Sequence, residues 1–379
     1  MTDLVRQELT RQTGVLVVKV GTRVLTAADG QLDEQRIASL AEQIAEQCDQ
    51  GRRVVLVSSG AVGAGMSRLG LSRRPREVAQ MQAVAAVGQT RLIECYDRVF
   101  RQHGRHAGQV LLTAEDLHER GRYLNVRNTI RALLEMKIVP IVNENDTVAV
   151  DELVASFGDN DRLAALVATA LRAPLLLILS DVDGLLDRDP SDPAATVIPT
   201  VLDCDSVREL VRDRANKLSK GGMQSKLNAA KIVTSAGENC VIASGRRPNV
   251  IRDVMAGETV GTLFLCEGRK SLSTRKRWLG FSSQPSGTLW LDTGACAAVA
   301  HQGTSLLAAG IAKCEGEFSQ GDVVSLCDAD GREIGRGLTN YAAEQVRQIM
   351  GLRSEQIEEV LGQSPYSAVV HCDNMQIYS

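Results

Sequence analysis

The run IVPIVNEND, residues 138–146, is apolar without alternation until it ends on a cluster of polar residues. A strand with one wet face would alternate apolar and polar side chains, so a continuous run of this length suits a strand covered on both faces. Five more such runs occupy the first two-thirds of the chain: VLVVKVG (15–21), RVVLVSSG (53–60), QVLLT (109–113), PLLLILSD (174–181) and NCVIAS (239–244). Helical patterns lie between them, for instance the apolar stripe Ile37, Leu40, Ala41, Ile44, Ala45 and Cys48, which ends at Gly51. Strand and helix in alternation predict an α/β fold, a largely parallel open sheet with helices on both faces.

The pattern changes after about residue 264. CEGRKSLSTRKRWLGFSSQPSG (266–287) is polar, basic and poor in periodicity, which reads as a linker. Beyond it GTLWLD, SLLAAGIAKCEG, DVVSLCD and EIGRGLTNY are short strand patterns with turn signals such as Asp330-Gly331, flanked by two small helical patterns. The expected domains are residues 10–270 and a small, mostly-β unit at 286–372.

The 379 residues are 44% hydrophobic and 23% charged, which suits an ordinary globular protein with room for two domains. A net charge of −3 supplies no global field to recruit nucleic acid or an anionic membrane. No apolar run approaches the roughly 20 residues needed to cross a bilayer, and MTDLVRQELTRQTG lacks an apolar signal core, so a cytoplasmic location is expected. The 9 cysteines are scattered from Cys48 to Cys372 without a C-x-x-C pair, which predicts reduced thiols, with neither disulfide nor zinc.

In open α/β sheets ligands bind beyond the carboxyl ends of the strands. The unusual residues fall at those ends: Lys19, then Ser58 and Ser59, then Asn143 to Asp146, then Ser180 and Asp181. Lys19 by itself suits a surface lysine as well as a functional one; Gly21 beside it lets backbone approach an anion closely. SSGAVGAG (58–65) offers an anion-binding turn, but its glycine order and the lack of an acidic residue after the next strand exclude a nicotinamide site. KGGMQSK (220–226) opens a helical pattern, and its two glycines with Lys226 make a polyphosphate cradle that is not a Walker A loop. DVDGLLDRD (181–189) imitates a calcium loop with its glycine misplaced, and reads as a tight turn. SFGDNDRLAALVA (156–168) sets Asp159, Asn160 and Asp161 at the start of a helical pattern, where a helix cap is the plain interpretation.

Taken in order, KVGT, SSGA, NENDTVA, GDND, SDVDGL and GGMQSK on this α/β pattern resemble the amino acid kinase family, and residues from about 286 onward resemble a PUA domain. The resemblance implies an ATP- and Mg²⁺-dependent phosphorylation of the side-chain carboxylate of L-glutamate to L-glutamyl 5-phosphate, the first step of proline biosynthesis. N-acetylglutamate is the alternative acceptor. It implies that Lys19, Lys226 and Asp161 are catalytic, with the aspartate holding the two lysines. Ser59, Asp146 and Asn160 would bind glutamate, Asp146 its ammonium and the other two its carboxylate. Lys19, Gly21, Thr22, Ser180, Asp181 and the segment Lys220, Gly221, Gly222, Met223, Gln224, Ser225 and Lys226 would bind ATP. No protein-held metal is expected, a homo-oligomer is, and proline is expected to act as feedback inhibitor.

Two positions depart from the family pattern: Arg23 stands where serine is common and Lys220 where threonine is common. A carboxylate nucleophile, with an ordinary pKa of about 4.3, is already ionised at neutral pH and needs neither a general base nor a catalytic histidine. PUA modules elsewhere bind RNA, but residues 286–379 carry 5 Lys and Arg against 12 Asp and Glu, a poor match to phosphate contacts. RNA binding is therefore not expected, and neither is a membrane partner.

Overall fold

The computed structural model describes residues 3–27, 31–148, 160–208, 210, 222–266, 278–362 and 366–378. Asp159, Lys220 and Gly221 lie outside the described residues. The chain divides into two compact units, residues 1–117 with 121–270, and residues 118–120 with 271–379.

In the first unit the strands are β1 (Val15–Val20), β2 (Arg53–Ser58), β3 (Ala107–Leu112), β4 (Val139–Glu144), β5 (Leu175–Ser180), β6 (Thr200–Val201), β7 (Asn239–Ser244) and β8 (Thr262–Phe264). They form one sheet in the order β3-β4-β2-β1-β5-β7-β8-β6. Every neighbouring pair is parallel except β7 with β8. The six apolar runs are β1 to β5 and β7, and both β4 and β5 are buried at every position, as a run without alternation requires.

The helices of this unit are α1 (Leu4–Gln12), α2 (Thr22–Leu25), α3 (Glu34–Asp49), α4 (Ala61–Leu69), α5 (Val78–Gln102), α6 (Ala114–His118), α7 (Arg120–Glu135), α8 (Asn160–Leu171), α9 (Met223–Ser235) and α10 (Val250–Met255). From β1 the chain builds the sheet outward through β2 on one side, and later through β5 on the other. Strand order reverses at β1, and such a switch point leaves a crevice at the carboxyl ends, here around Lys19. The stripe Ile37, Leu40, Ala41 and Ile44 of α3 packs with Leu16, Val18 and Val20 of β1 and with Tyr96 and Phe100 of α5 in one core. Where α4 meets α5 the backbones touch: a methyl group on Gly65 would lie 1.9 Å from the Val84 carbonyl oxygen, and one on Gly88 1.7 Å from that of Ala61. Only glycine permits that approach. It clamps α5 onto the first residue of α4, just after Ser59.

The second unit has a five-stranded sheet of β9 (Gly287–Leu291), β10 (Ile311–Gly316), β11 (Val323–Cys327), β12 (Glu333–Thr339) and β13 (Val370–Ile377), in the order β10-β9-β11-β12-β13. The β9–β11 pair is parallel and the others antiparallel. Its core gathers Leu289, Val324, Leu326, Tyr341 and Val346. Among the described residues three α-helices accompany it rather than two: α11 (Thr293–Gln302), α12 (Ala343–Ile349) and α13 (Ser354–Leu361). Among the described residues no helix is long and apolar enough to cross a membrane.

Candidate active site

The sequence LAALVATAL makes α8 apolar on nearly all sides, and Leu163 to Leu171 are all buried. This fixes where its first turn stands. Asp161 in that turn is 0% exposed, Lys19 on β1 is 6% exposed and Lys226 on α9 is 5% exposed. Lys19 Nζ lies 2.6 Å from Asp161 Oδ1, and Lys226 Nζ 3.1 Å from Oδ2. Ser225 Oγ donates to the same Oδ2 at 3.1 Å. Burial alone would raise the Asp161 carboxyl pKa, but the two ammonium groups outweigh it and hold the group below the usual carboxylate range. The set of two lysines and one aspartate carries one net positive charge in a water-poor place, and such a charge favours an anionic guest.

Around α9 the structure adds to that preference. Gly222 caps the helix in an extended conformation and, as a glycine, places no side chain of its own over the first-turn N–H groups. A helix start of this kind binds anions. Ser180 Oγ donates to Asp181 Oδ1 at 3.1 Å, and Arg23 stands 3.0 Å from Asp181 Oδ2. Burial would raise the Asp181 carboxyl; its hydrogen bonds and the Arg23 guanidinium hold it below the usual range. The unusual Arg23 thus reaches one of the residues assigned to the nucleotide. The Gly21 N–H donates to the Leu179 carbonyl at 3.0 Å, so it serves the sheet. A Cβ at Gly21 would lie in ordinary contact with the Leu179 carbonyl oxygen at 3.4 Å and with Lys19 Nζ at 3.5 Å, so this glycine stands directly beside the lysine ammonium. Thr22 opens α2 and is exposed, Met223 is the first residue of α9, and Gln224 turns to Asn228 on its own helix at 3.1 Å.

Beside this phosphate-seeking pole is a second, polar one. Asn160 Nδ2 donates to Ser59 Oγ at 2.7 Å and to Asn143 Oδ1 at 3.0 Å. Its Oδ1 is buried and has no hydrogen-bond partner among the described residues. The sequence reading gives Asn160 to a carboxylate, whereas this geometry leaves an acceptor that suits an N–H donor. Ser59 is held by the turn at Gly60, whose φ of +104° only glycine adopts without strain. Asp146 follows β4, and its carboxyl is pushed up to about 6 by burial, against a hydrogen bond from Gln89 and the attraction of Arg74.

The sequence marks the NEND cluster as unusual but gives no role to two of its residues. Asn143 lies inside the NEND cluster, yet its contact with Asn160 spans 17 positions. Glu144 is 1% exposed, and neither carboxyl oxygen has a hydrogen-bond partner among the described residues. A carboxyl so placed is costly unless it is neutral or matched by a cation. The only sequence signal for it was an acidic residue inside an otherwise apolar strand.

The amino acid kinase family model matches residues 14–244, and the PUA domain model matches residues 287–361. The glutamate 5-kinase of Rhodopirellula baltica is 47% identical over 372 residues, covering 98% of this chain and 95% of that protein. That of Nitrosococcus oceani is 48% identical over 361 residues, covering 95% and 96% respectively. That of a Cyanothece species is 49% identical over 366 residues, covering 96% and 99%. With a paired-lysine crevice at the switch point and similarity over almost the entire length of these relatives, the chain belongs to the amino acid kinase family, in the branch of the glutamate 5-kinases.

Proposed function

We propose that the chain transfers the γ-phosphoryl group of ATP to the side-chain carboxylate of L-glutamate, giving L-glutamyl 5-phosphate and ADP, the first step of proline biosynthesis. The observation that carries this is the buried Lys19–Asp161–Lys226 set with Asn160 next to it. The acceptor carboxylate is ionised at neutral pH, so the protein need not remove a proton. It must align two anionic oxygens about phosphorus and offset the charge that develops between them. Lys19 and Lys226 do this as point charges, and one carboxylate fixes the position of both.

ATP would lie with its phosphates at the start of α9, near Lys226, Ser180 and Asp181. Mg²⁺, when bound, neutralises phosphate charge. Asp161 has both oxygens on lysines, and no group of three or more metal-ligating side chains forms at this pole among the described residues. The residues therefore fit an ion that arrives on phosphate oxygens with its own water, and Asp181 is the carboxylate that would hold it. Proline shares an α-carboxylate and an α-nitrogen with glutamate and would compete for the Asn160 and Asp146 pole. The unit at 286–372 would regulate or assemble a homo-oligomer rather than bind RNA, in keeping with its acidic charge.

The test is ATP-dependent hydroxamate formation with glutamate, N-acetylglutamate and aspartate offered separately. Glutamate is expected to be the acceptor, and a better rate with the acetylated compound would transfer the assignment to N-acetylglutamate. Asp146→Asn is expected to raise KM for glutamate by about 10- to 100-fold, as loss of a charged hydrogen bond does, with KM for ATP little changed. In the unaltered protein kcat/KM for glutamate should fall as pH drops through about 6, because a neutral Asp146 no longer pairs with ammonium. Stability moves the other way. A carboxyl raised above its ordinary value favours the folded state at low pH, and that contribution is lost as pH rises through about 6. Loss of activity on acidification is therefore not unfolding driven by this group.

A further inference from the structure

Tyr96 on α5 is fully buried, its ring stacked on Phe100 with 6.3 Å between centroids. Phenylalanine would fill that space as well, so the hydroxyl is the part of this residue that packing does not ask for. It lies 3.1 Å from Ser58 Oγ, and Ser58 Oγ donates to the Ser59 carbonyl oxygen at 3.2 Å. A serine hydroxyl has one hydrogen to give. With that hydrogen on Ser59, the bond between the two hydroxyls runs from Tyr96 to Ser58. Burial pushes the phenol well above its ordinary pKa, so it keeps the hydrogen that this relay needs.

The relay ends on a residue of the polar pole. Ser59 donates its N–H to the Val20 carbonyl at 3.1 Å, while its own carbonyl takes the Ser58 hydroxyl, so the peptides on both sides of it are held. Its Oγ accepts from Asn160 Nδ2 at 2.7 Å and, among the described residues, donates to none. That hydrogen is left for an acceptor from outside the protein, and a substrate carboxylate oxygen is one. The same helix touches the turn a second time, where Gly88 meets the backbone of Ala61 at the start of α4. Thus α5 grips the Ser59–Gly60 turn at both ends, by backbone contact after it and by the hydroxyl relay before it.

We infer that Tyr96 is a positioning residue for glutamate recognition, acting through Ser58 to fix the peptide that carries the Ser59 side chain. This rests on the proposal that Ser59 and Asn160 receive glutamate. A hydroxyl on a turn points where its backbone sets it, and a binding group has to be held to within about 0.5 Å by the contacts behind it. A ring locked in the core of a long helix gives that support, and the phenol carries it to the turn.

The experiment compares Tyr96→Phe, Ser58→Ala and the double variant with the unaltered protein, in full-length form, for kcat and for KM of glutamate and of ATP. Tyr96→Phe keeps the ring and removes the donor. Ser58→Ala breaks the same relay with Tyr96 in place, which secures the measurement if the first variant does not fold. Each is expected to raise KM for glutamate by about 3- to 10-fold, the scale of one neutral hydrogen bond, with KM for ATP within about twofold. The double variant is expected to lose no more than the worse single one, because both changes cut one relay. Calorimetric titration with glutamate alone should show the same weakening without turnover. An unchanged KM for glutamate, an equal rise for both substrates, or losses that multiply would make Tyr96 a packing residue only. Ser59→Ala measured alongside separates the two levels. If it raises KM for glutamate while the Tyr96 and Ser58 variants do not, this inference alone falls; if it leaves KM unchanged, the place of Ser59 in the glutamate site falls with it.

Discussion

Asp161→Asn is expected to reduce kcat by roughly 10³, the scale of losing preorganised charge at a phosphoryl-transfer centre. Asparagine caps a helix about as well as aspartate, so a purely structural cap would tolerate the change in both rate and stability. Here the carboxylate lies within 2.6 Å of Lys19 and 3.1 Å of Lys226, all three buried. Without its charge two buried ammonium groups face one another across an amide, and the side chains part. The same change should cost about 3–5 kcal/mol of stability, as removal of one partner from a buried ion pair does. The rate is therefore measured below the variant's own melting transition, with circular dichroism to show that it is folded. Near-normal kcat under those conditions would remove Asp161 from the mechanism and leave it as the centre of a structural ion pair.

Lys19→Ala and Lys226→Ala are each expected to lower kcat by roughly 10² or more while KM for glutamate moves little. Their stability cost should be smaller than that of Asp161→Asn, because removing one lysine leaves the set neutral instead of doubly positive. Since both ammonium groups are held by one carboxylate, their effects should not multiply: the double variant is expected to lose less than the product of the single losses. Steady-state rates of the three variants decide it. An unaltered kcat in either single variant would return that lysine to an ordinary ion pair.

The main strands were legible because each is a continuous apolar run, and burial on both faces of a parallel sheet demands such a run; β3, at the sheet edge, carries the run although most of it is only half-buried. The strands that escaped are those under other constraints. β6 and β8 are two and three residues long, too short to show any period. β13, with His371, Asp373, Asn374 and Gln376 in its middle, is an edge strand with little apolar face to display. At the site, strand-end position singled out Lys19, Ser59 and the NEND cluster, whereas the pairing of Lys19 with Lys226 through Asp161 entered only by resemblance. Arg23 showed as an oddity of pattern, but its partner Asp181 is 158 positions away.

In the proposed reaction, the contacts that would shape the acceptor pocket and those that would grip the phosphoryl donor begin at neighbouring residues, Asn160 and Asp161. A trans peptide sets their Cα atoms about 3.8 Å apart. The first turn of α8 would in this sense be a gauge: one mark set against the nitrogen of the amino acid and the next against the place where phosphorus must be. An acceptor shorter by a single methylene, seated at the first mark, ends about 1 Å before the second, a displacement worth about 10²-fold in rate. On that reading length would be sensed by the spacing of the backbone itself, with no wall required at the far end of the pocket to tell one dicarboxylic amino acid from the next.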